Sequence, residues 1–184
     1  MWKNLKEMAS LWFTIGGFIG VLVIFPYINM KINERGSWIL QNPNRHTVSN
    51  ELCDAIIDLA KRMNTIDIVD LGCGNGLYVK MINDSGMECD GYDGNPHTEE
   101  ITNGECEVLY LSTPISVGNY DMVISLEVGE HIPNEYEKDF LDNLTKTADK
   151  FIVLSWALPG QRGTGHVNCR SREWVIDQLK SRGF

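Results

Sequence analysis

Apolar residues fall along this chain in two patterns. The first is a run of eighteen residues without a charge, Leu11 to Ile28 (LWFTIGGFIGVLVIFPYI). As helix it would span about 27 Å, close to the ~30 Å apolar thickness of a bilayer. Lys3 and Lys6 flank it on one side, Lys31 and Arg35 on the other, and Trp12 and Tyr27 lie near its ends, where interfacial aromatics belong. The pattern predicts a hydrophobic helix within residues 1–31, acting as a single membrane anchor. Gly16 and Gly20 have the spacing of a helix-pairing face, one route to a homodimer. A cleaved signal peptide fits less well, because no small-x-small site follows and Pro26 interrupts the run. The alternative is an apolar helix packed on the domain or on a partner.

The second pattern starts at residue 48 and alternates short apolar runs with amphipathic stretches. Ser49 is placed to cap a helix from Asn50 to Met63, with Leu52, Ala55, Ile56, Leu59 and Ala60 on one face. Strands are predicted at Ile66–Leu71, Glu88–Asp93, Cys106–Leu111, Tyr120–Leu126 and Lys150–Trp156. Between and after them fall a helix at 76–84, a short helix or loop at 96–103, an amphipathic helix at 135–148 and a last helix at 171–181. Strand–helix alternation predicts an α/β fold, a doubly wound and mostly parallel sheet with helices on both faces. Residues 32–47 are mostly polar and read as a linker, although Trp38-Ile39-Leu40 is suited to cover an edge of the core or the ligand site.

Composition narrows the function. A net charge of −9 argues against broad attraction to nucleic acid or anionic lipid. The five cysteines (Cys53, Cys73, Cys89, Cys106, Cys169) form no C-x-x-C pair, so neither a disulfide framework nor a zinc knuckle is indicated, and they read as reduced cytosolic thiols. The 184 residues suffice for one domain with a real core.

Chemistry concentrates where the first strand stops. Ile66 to Leu71 breaks into Gly72-Cys73-Gly74-Asn75-Gly76, and Leu77 to Ile82 then resumes as helix. Alternate glycines allow a tight turn and close backbone approach to a ligand, and the helix start faces that turn with free N–H groups. The dinucleotide pattern G-x-G-x-x-G requires glycine at 77, where Leu77 stands, which disfavours a dehydrogenase. Asp93 follows Asp70 by 23 positions, near the spacing at which an acid after the second strand meets ribose hydroxyls.

The segment Asp70–Gly76, D-x-G-x-G-x-G, resembles the first motif of the class I S-adenosylmethionine-dependent methyltransferases. The resemblance continues at Gly91-Tyr92-Asp93-Gly94-Asn95 and at Tyr120–Pro133 (YDMVISLEVGEHIP), and it covers residues 48–184. It implies a methyltransferase domain over that span with S-adenosylmethionine as cofactor, contacted by Asp70, Gly72, Cys73, Gly74, Asn75, Gly76, Asp93, Gly94 and Asn95. Ser125, Leu126 and Glu127 are implied beside the methionyl part. Many relatives place an acid after the third strand against the adenine amino group. Here Tyr110-Leu111-Ser112 occupies the place, leaving the Leu111 backbone or the Ser112 hydroxyl for that contact. The family's last two strands are missing, so either the chain is a fragment or the fifth strand is an edge open to a partner copy. Because S-adenosylmethionine is made in the cytosol, the resemblance places the domain there, anchored at the membrane or simply cytoplasmic.

A sulfonium donor carries its own activation, so the protein mainly aligns the acceptor and excludes water. A general base helps only where the acceptor loses a proton, and His131 and His166 are the candidates, with Glu130 to orient them. Glu127-x-x-Glu130-His131 with a later His166 is also similar to the set of metal-dependent methyltransferases acting on small-RNA 3′ ends or quinone rings. The same sequence after the fourth strand occurs in metal-free members, so no metal is the favoured reading. The expected activity is methyl transfer to oxygen or nitrogen of a small molecule near a membrane. The alternatives are metal-assisted RNA 2′-O-methylation and a degenerate cofactor-binding interaction module.

Overall fold

The computed structural model describes residues 11–15, 18–22, 31–42, 46 and 48–184. Two compact units result, 1–30 and 31–184. In the first, β1 (Leu11–Ile15) and β2 (Phe18–Leu22) pair antiparallel, where the uncharged run predicts helix. Both runs are rich in aromatic and β-branched residues, which suit strands. Residues 1–10, 16–17 and 23–30 of the expected anchor lie outside the described residues. Among the described residues no helix is long and apolar enough to cross a membrane.

The second unit opens with a small hairpin, β3 (Lys31–Ile32) against β4 (Trp38–Ile39), within the stretch that reads as a linker. Helix α1 (Asn50–Arg62) follows, with the Ser49 hydroxyl accepting from Leu52 N–H at 3.2 Å. The strands β5 (Asp67–Leu71), β6 (Glu88–Asp93), β7 (Glu107–Val108), β8 (Tyr120–Ser125) and β9 (Ala148–Leu154) form one sheet in the order β7-β6-β5-β8-β9, every pair parallel. Helices α2 (Leu77–Asp84), α3 (Thr98–Ile101), α4 (Glu137–Thr147) and α5 (Arg172–Lys180) complete the unit.

Alternation along the central strands sends side chains to two cores. Ile68, Met122 and Ile124 pack with Cys53, Ile56 and Ala60 of α1 and Val79 and Ile82 of α2. Val69, Leu71 and Val123 pack with Phe140 and Leu144 of α4. A strand buried on both faces reads as a continuous apolar run, as β5 and β8 do. Chain order reverses about β5, which has β6 on one side and β8 on the other. Ligands of open α/β sheets bind at the strand carboxyl ends beside such a reversal.

Candidate active site

Beyond Leu71 the chain turns back on itself. Gly72 and Cys73 N–H both donate to the Tyr92 carbonyl, at 2.7 and 3.0 Å. Gly72, Gly74 and Gly76 have φ of 97°, 59° and 72°, a left-handed conformation that residues with a Cβ adopt only under strain. Gly76 forms the N-cap of α2.

The turn and the end of β6 meet at Asp93. One carboxylate oxygen accepts from Gly74 N–H at 2.9 Å and the other from Asn95 N–H at 2.8 Å. A carboxylate has about four acceptor positions, so each oxygen keeps one for a further donor, the requirement for holding a vicinal diol. Burial pushes the Asp93 carboxyl upward, while the N–H groups of Asn95 and Gly74 and the nearby His46 pull it back. Asp70 is buried at the end of β5, and burial together with neighbouring Asp93 pushes it up to about 7. Cys73 is buried, and its thiol is held well above the usual range, first by a hydrogen bond with the Cys106 thiol and then by burial. The Asn75 side chain accepts from Leu77 N–H at 3.3 Å, bracing the start of α2.

Several residues expected at the cofactor have their polar groups committed elsewhere. The Asn95 side chain is turned to Leu40, accepting from its N–H at 3.3 Å and donating to its carbonyl at 2.7 Å. The Ser125 hydroxyl is fully buried and donates to the Leu71 carbonyl at 2.7 Å, stitching β8 to β5. Leu126 packs against the core of α1 and α2. The Leu111 carbonyl accepts from the Asn143 side chain at 3.0 Å, whereas the buried Ser112 hydroxyl has no partner. Gly94 follows Asp93 directly and faces Ser37 of the hairpin.

The second cluster lies beyond β8. Glu127 has φ of 57°, a strained left-handed position of the sort that persists where surrounding structure fixes it. Ser155 holds it, accepting from Glu127 N–H and donating to its carboxylate, both at 2.7 Å. The next residues form a 3-10 turn, Gly129–His131, that buries Glu130 and His131. The loop after β9 is fastened to this turn, because Val167 and Asn168 N–H both donate to the Glu130 carbonyl, at 2.9 and 3.0 Å. Arg170 donates to Glu137 at 2.6 Å and anchors the far end of the loop.

His166 is thereby brought to Glu130, Nε2 to carboxylate at 4.0 Å, and its ring meets His131 edge-on at 5.2 Å. His131 Nδ1 lies 3.0 Å from the Gly165 carbonyl. A carbonyl can only accept, so the Nδ1–H tautomer is assigned and Nε2 carries the lone pair. Burial lowers the His131 pKa and favours the neutral ring. Glu130 is wholly buried, and neither oxygen has a hydrogen-bond partner. Burial pushes it up to about 7, a shift moderated by neighbouring backbone N–H groups and by His166. Glu130, His131 and His166 each offer a ligand atom, all within 4.8 Å of one another. Glu127 stands outside this trio.

The structure thus separates the expected residues into a donor side (Asp70, the turn and Asp93) and a histidine side (Glu130, His131, His166). The segment that reads as a linker folds instead as a hairpin, and its Trp38-Ile39-Leu40 end lies beside these residues, the alternative the sequence offered. Trp38 meets the His131 ring edge-on at 5.3 Å, and Gly36 passes so close to the His131 carbonyl that a Cβ would overlap it. Arg35 lies over the Tyr110 ring at 5.6 Å, beside a recess of about 340 Å³ lined by Asn33, Glu34, Arg35 and Tyr110. The available signal was Asn33-Glu34-Arg35-Gly36, with Asn first and Gly fourth as a type I turn prefers.

A methyltransferase-domain family matches residues 44–155, more than half of the chain. The chain belongs to this family. Its fold is shared by magnesium protoporphyrin IX methyltransferase from Synechocystis with bound S-adenosylhomocysteine, at 18% identity and a TM-score of 0.59 over 76% of this chain and 78% of that one. The N-methyltransferase NodS from Bradyrhizobium japonicum, also in complex with S-adenosylhomocysteine, gives 15% identity and 0.56 over 71% and 72%. The methyltransferase domain of a bacterial CtHen1 gives 17% and 0.55 over 77% and 86%. No curated protein sequence matches. Family and fold together make the chain a methyltransferase-domain protein with the class I, Rossmann-like architecture.

Proposed function

We propose that this enzyme transfers a methyl group to an oxygen or nitrogen of a small-molecule acceptor, held between the donor side and the cluster of Glu130, His131 and His166. The observation that carries this reading is the buried Glu130 carboxylate, whose oxygens have no hydrogen-bond partner and which lies 4.0 Å from His166. An ionisable group desolvated without a partner is costly, and such groups concentrate where chemistry is done. On this reading Asp93 accepts from the donor's ribose while the glycine turn lets the backbone approach it. His131, neutral and with Nε2 carrying the lone pair, takes the proton that an acceptor hydroxyl or amine loses as its methyl bond forms. Glu130 offsets positive charge that develops on either imidazole.

A second reading adds a divalent ion. The residues fit one, because an orphaned buried carboxylate and two imidazoles converge within 4.8 Å. Glu130, His131 and His166 would hold it, and it would act as a Lewis acid that orients acceptor oxygens. The net charge of −9 favours a small acceptor over RNA in either case.

Calorimetry with S-adenosylmethionine, followed by transfer of a labelled methyl group to a panel of phenols, amines and carboxylates, tests the proposal. Transfer that falls at least 100-fold in His131→Ala supports it. A folded chain that binds no donor would instead be an interaction module. Full activity in EDTA removes the metal reading and leaves the rest.

A further inference from the structure

We propose that Asn95 is a positioning residue, a latch that ties the β3–β4 hairpin down over bound donor. The inference rests on the donor reading above. Asn95 is 1% exposed and joins two parts of the structure. Its backbone N–H donates to Asp93 at 2.8 Å, on the carboxylate assigned to the ribose. Its side chain pairs with both backbone groups of Leu40, at 3.3 and 2.7 Å, as a strand would. Leu40 is itself buried, 55 residues distant in sequence, so this is a built contact between remote segments. The Asn95 carboxamide oxygen also accepts from His97 N–H at 3.1 Å, leaving it little capacity for a ligand.

The hairpin that Asn95 holds reaches both halves of the site. On the donor side, a Cβ at Gly94 would overlap the Ser37 hydroxyl, so glycine is what lets the hairpin lie against the residue after Asp93. On the histidine side, Trp38 and Gly36 contact His131, and the Ile32 side chain packs against Gly165, whose carbonyl fixes the His131 tautomer. A ligand on Asp93 restrains Asn95, Asn95 restrains Leu40, and Leu40 keeps Trp38 on His131. Donor binding and the setting of the histidine are thereby coupled through one short segment. Release of the demethylated product requires the hairpin to lift, which breaks the Asn95–Leu40 pair.

Hydrogen exchange on the full chain, with and without saturating S-adenosylhomocysteine, provides the test. The latch requires amides of residues 31–40 to become at least tenfold better protected when the ligand binds. In Asn95→Ala that gain disappears and stopped-flow release of S-adenosylhomocysteine is at least tenfold faster, while β5 and β8 amides keep wild-type protection. Asn95→Asp keeps the acceptor for Leu40 N–H but loses the donor, and gives an intermediate release rate. A purely structural role would lower protection everywhere without a selective change in release. Ligand-independent exchange of the hairpin in a wild-type chain that binds ligand overturns the latch alone, and needs no variant. A wild-type chain that binds no S-adenosylhomocysteine overturns the donor reading and the latch with it.

Discussion

Replacing Asp93 with Asn changes one oxygen for an NH₂ group and keeps the side-chain size. Both carboxylate oxygens receive a backbone N–H, from Gly74 at 2.9 Å and from Asn95 at 2.8 Å. Whichever way the amide sits, its NH₂ group faces one of those N–H groups, donor against donor. An unsatisfied buried donor costs about 1–3 kcal/mol, which for a chain of this size lowers Tm by roughly 2–12 °C.

The effect on donor affinity is separable. Two ribose hydroxyls donating to a carboxylate contribute about 1.5 kcal/mol each at the low end for charged hydrogen bonds. Asn removes one acceptor and the charge from the other, a loss of about 2 kcal/mol that raises Kd roughly 30-fold. Ribose contacts are the same before and during methyl transfer, so kcat at saturating donor should stay within a few-fold of wild type while KM rises. Calorimetry gives Kd, circular dichroism gives Tm, and a saturation series gives the split. A folded Asp93→Asn variant with wild-type donor affinity would refute the assignment of Asp93, and an equal fall in kcat would refute the claim of uniform binding.

The remaining predictions use other groups. Glu130 is held up at about 7 by burial, above its unfolded 4.5, so the stability it contributes is full below about pH 4.5 and is lost as pH rises through about 7. Wild-type Tm should therefore fall between pH 5 and 8, and Glu130→Gln should flatten part of that fall, Asp70 supplying more of it in the same direction. Magnesium or manganese at millimolar concentration should raise Tm at pH 7.5 in wild type and not in Glu130→Gln if the trio holds an ion. Ser125→Ala removes the bond to Leu71 and should cost about 1 kcal/mol of stability in denaturant titration, while donor Kd stays within twofold. Phe140→Ala empties a fully buried position against Trp156 and should cost about 3–5 kcal/mol in the same titration.

What the sequence discloses follows from range. The place of Asp93 was legible because it is set by neighbours, the end of β6 and the turn that follows β5. Strand β6 falls at Glu88–Asp93 as predicted, since a polar turn bounds it on both sides. Strand β7 is shorter than Cys106–Leu111, because Asn143 on α4 takes the Leu111 and Thr113 carbonyls and the Ile115 N–H and pulls that segment off the sheet. Nothing near residue 111 encodes that. Strand β9 starts at Ala148, ahead of Lys150, because Ala148 pairs with Tyr120 across an irregularity in register. At the N-terminus an apolar run satisfies both helix and strand, and the aromatic and β-branched residues of 11–15 and 18–22 were the feature that favoured strands. His166 was visible as a residue type, but its meeting with Glu130 depends on two loop N–H groups converging on one carbonyl.

The sheet register explains why the two halves of the site lie where they do. Tyr92 pairs with Leu71 and Ile124 with Asp70, so β6, β5 and β8 end nearly level. Neighbouring strands are about 4.8 Å apart, so a ligand gripped at Asp93 and lying across the turn reaches β8 after about two spacings, roughly 10 Å. A nucleoside with its sulfonium side chain covers that distance. On the proposed reading its methyl group arrives at the end of β8, where the chain turns through Glu127 into Glu130 and His131. The loop after β9 supplies His166 from the far side. On the proposed reading the donor enters along β6 and β5 and the acceptor must meet it beyond β8. A substitution in the loop carrying His166 should therefore change acceptor KM and leave donor Kd alone, whereas one at the end of β6 should do the reverse.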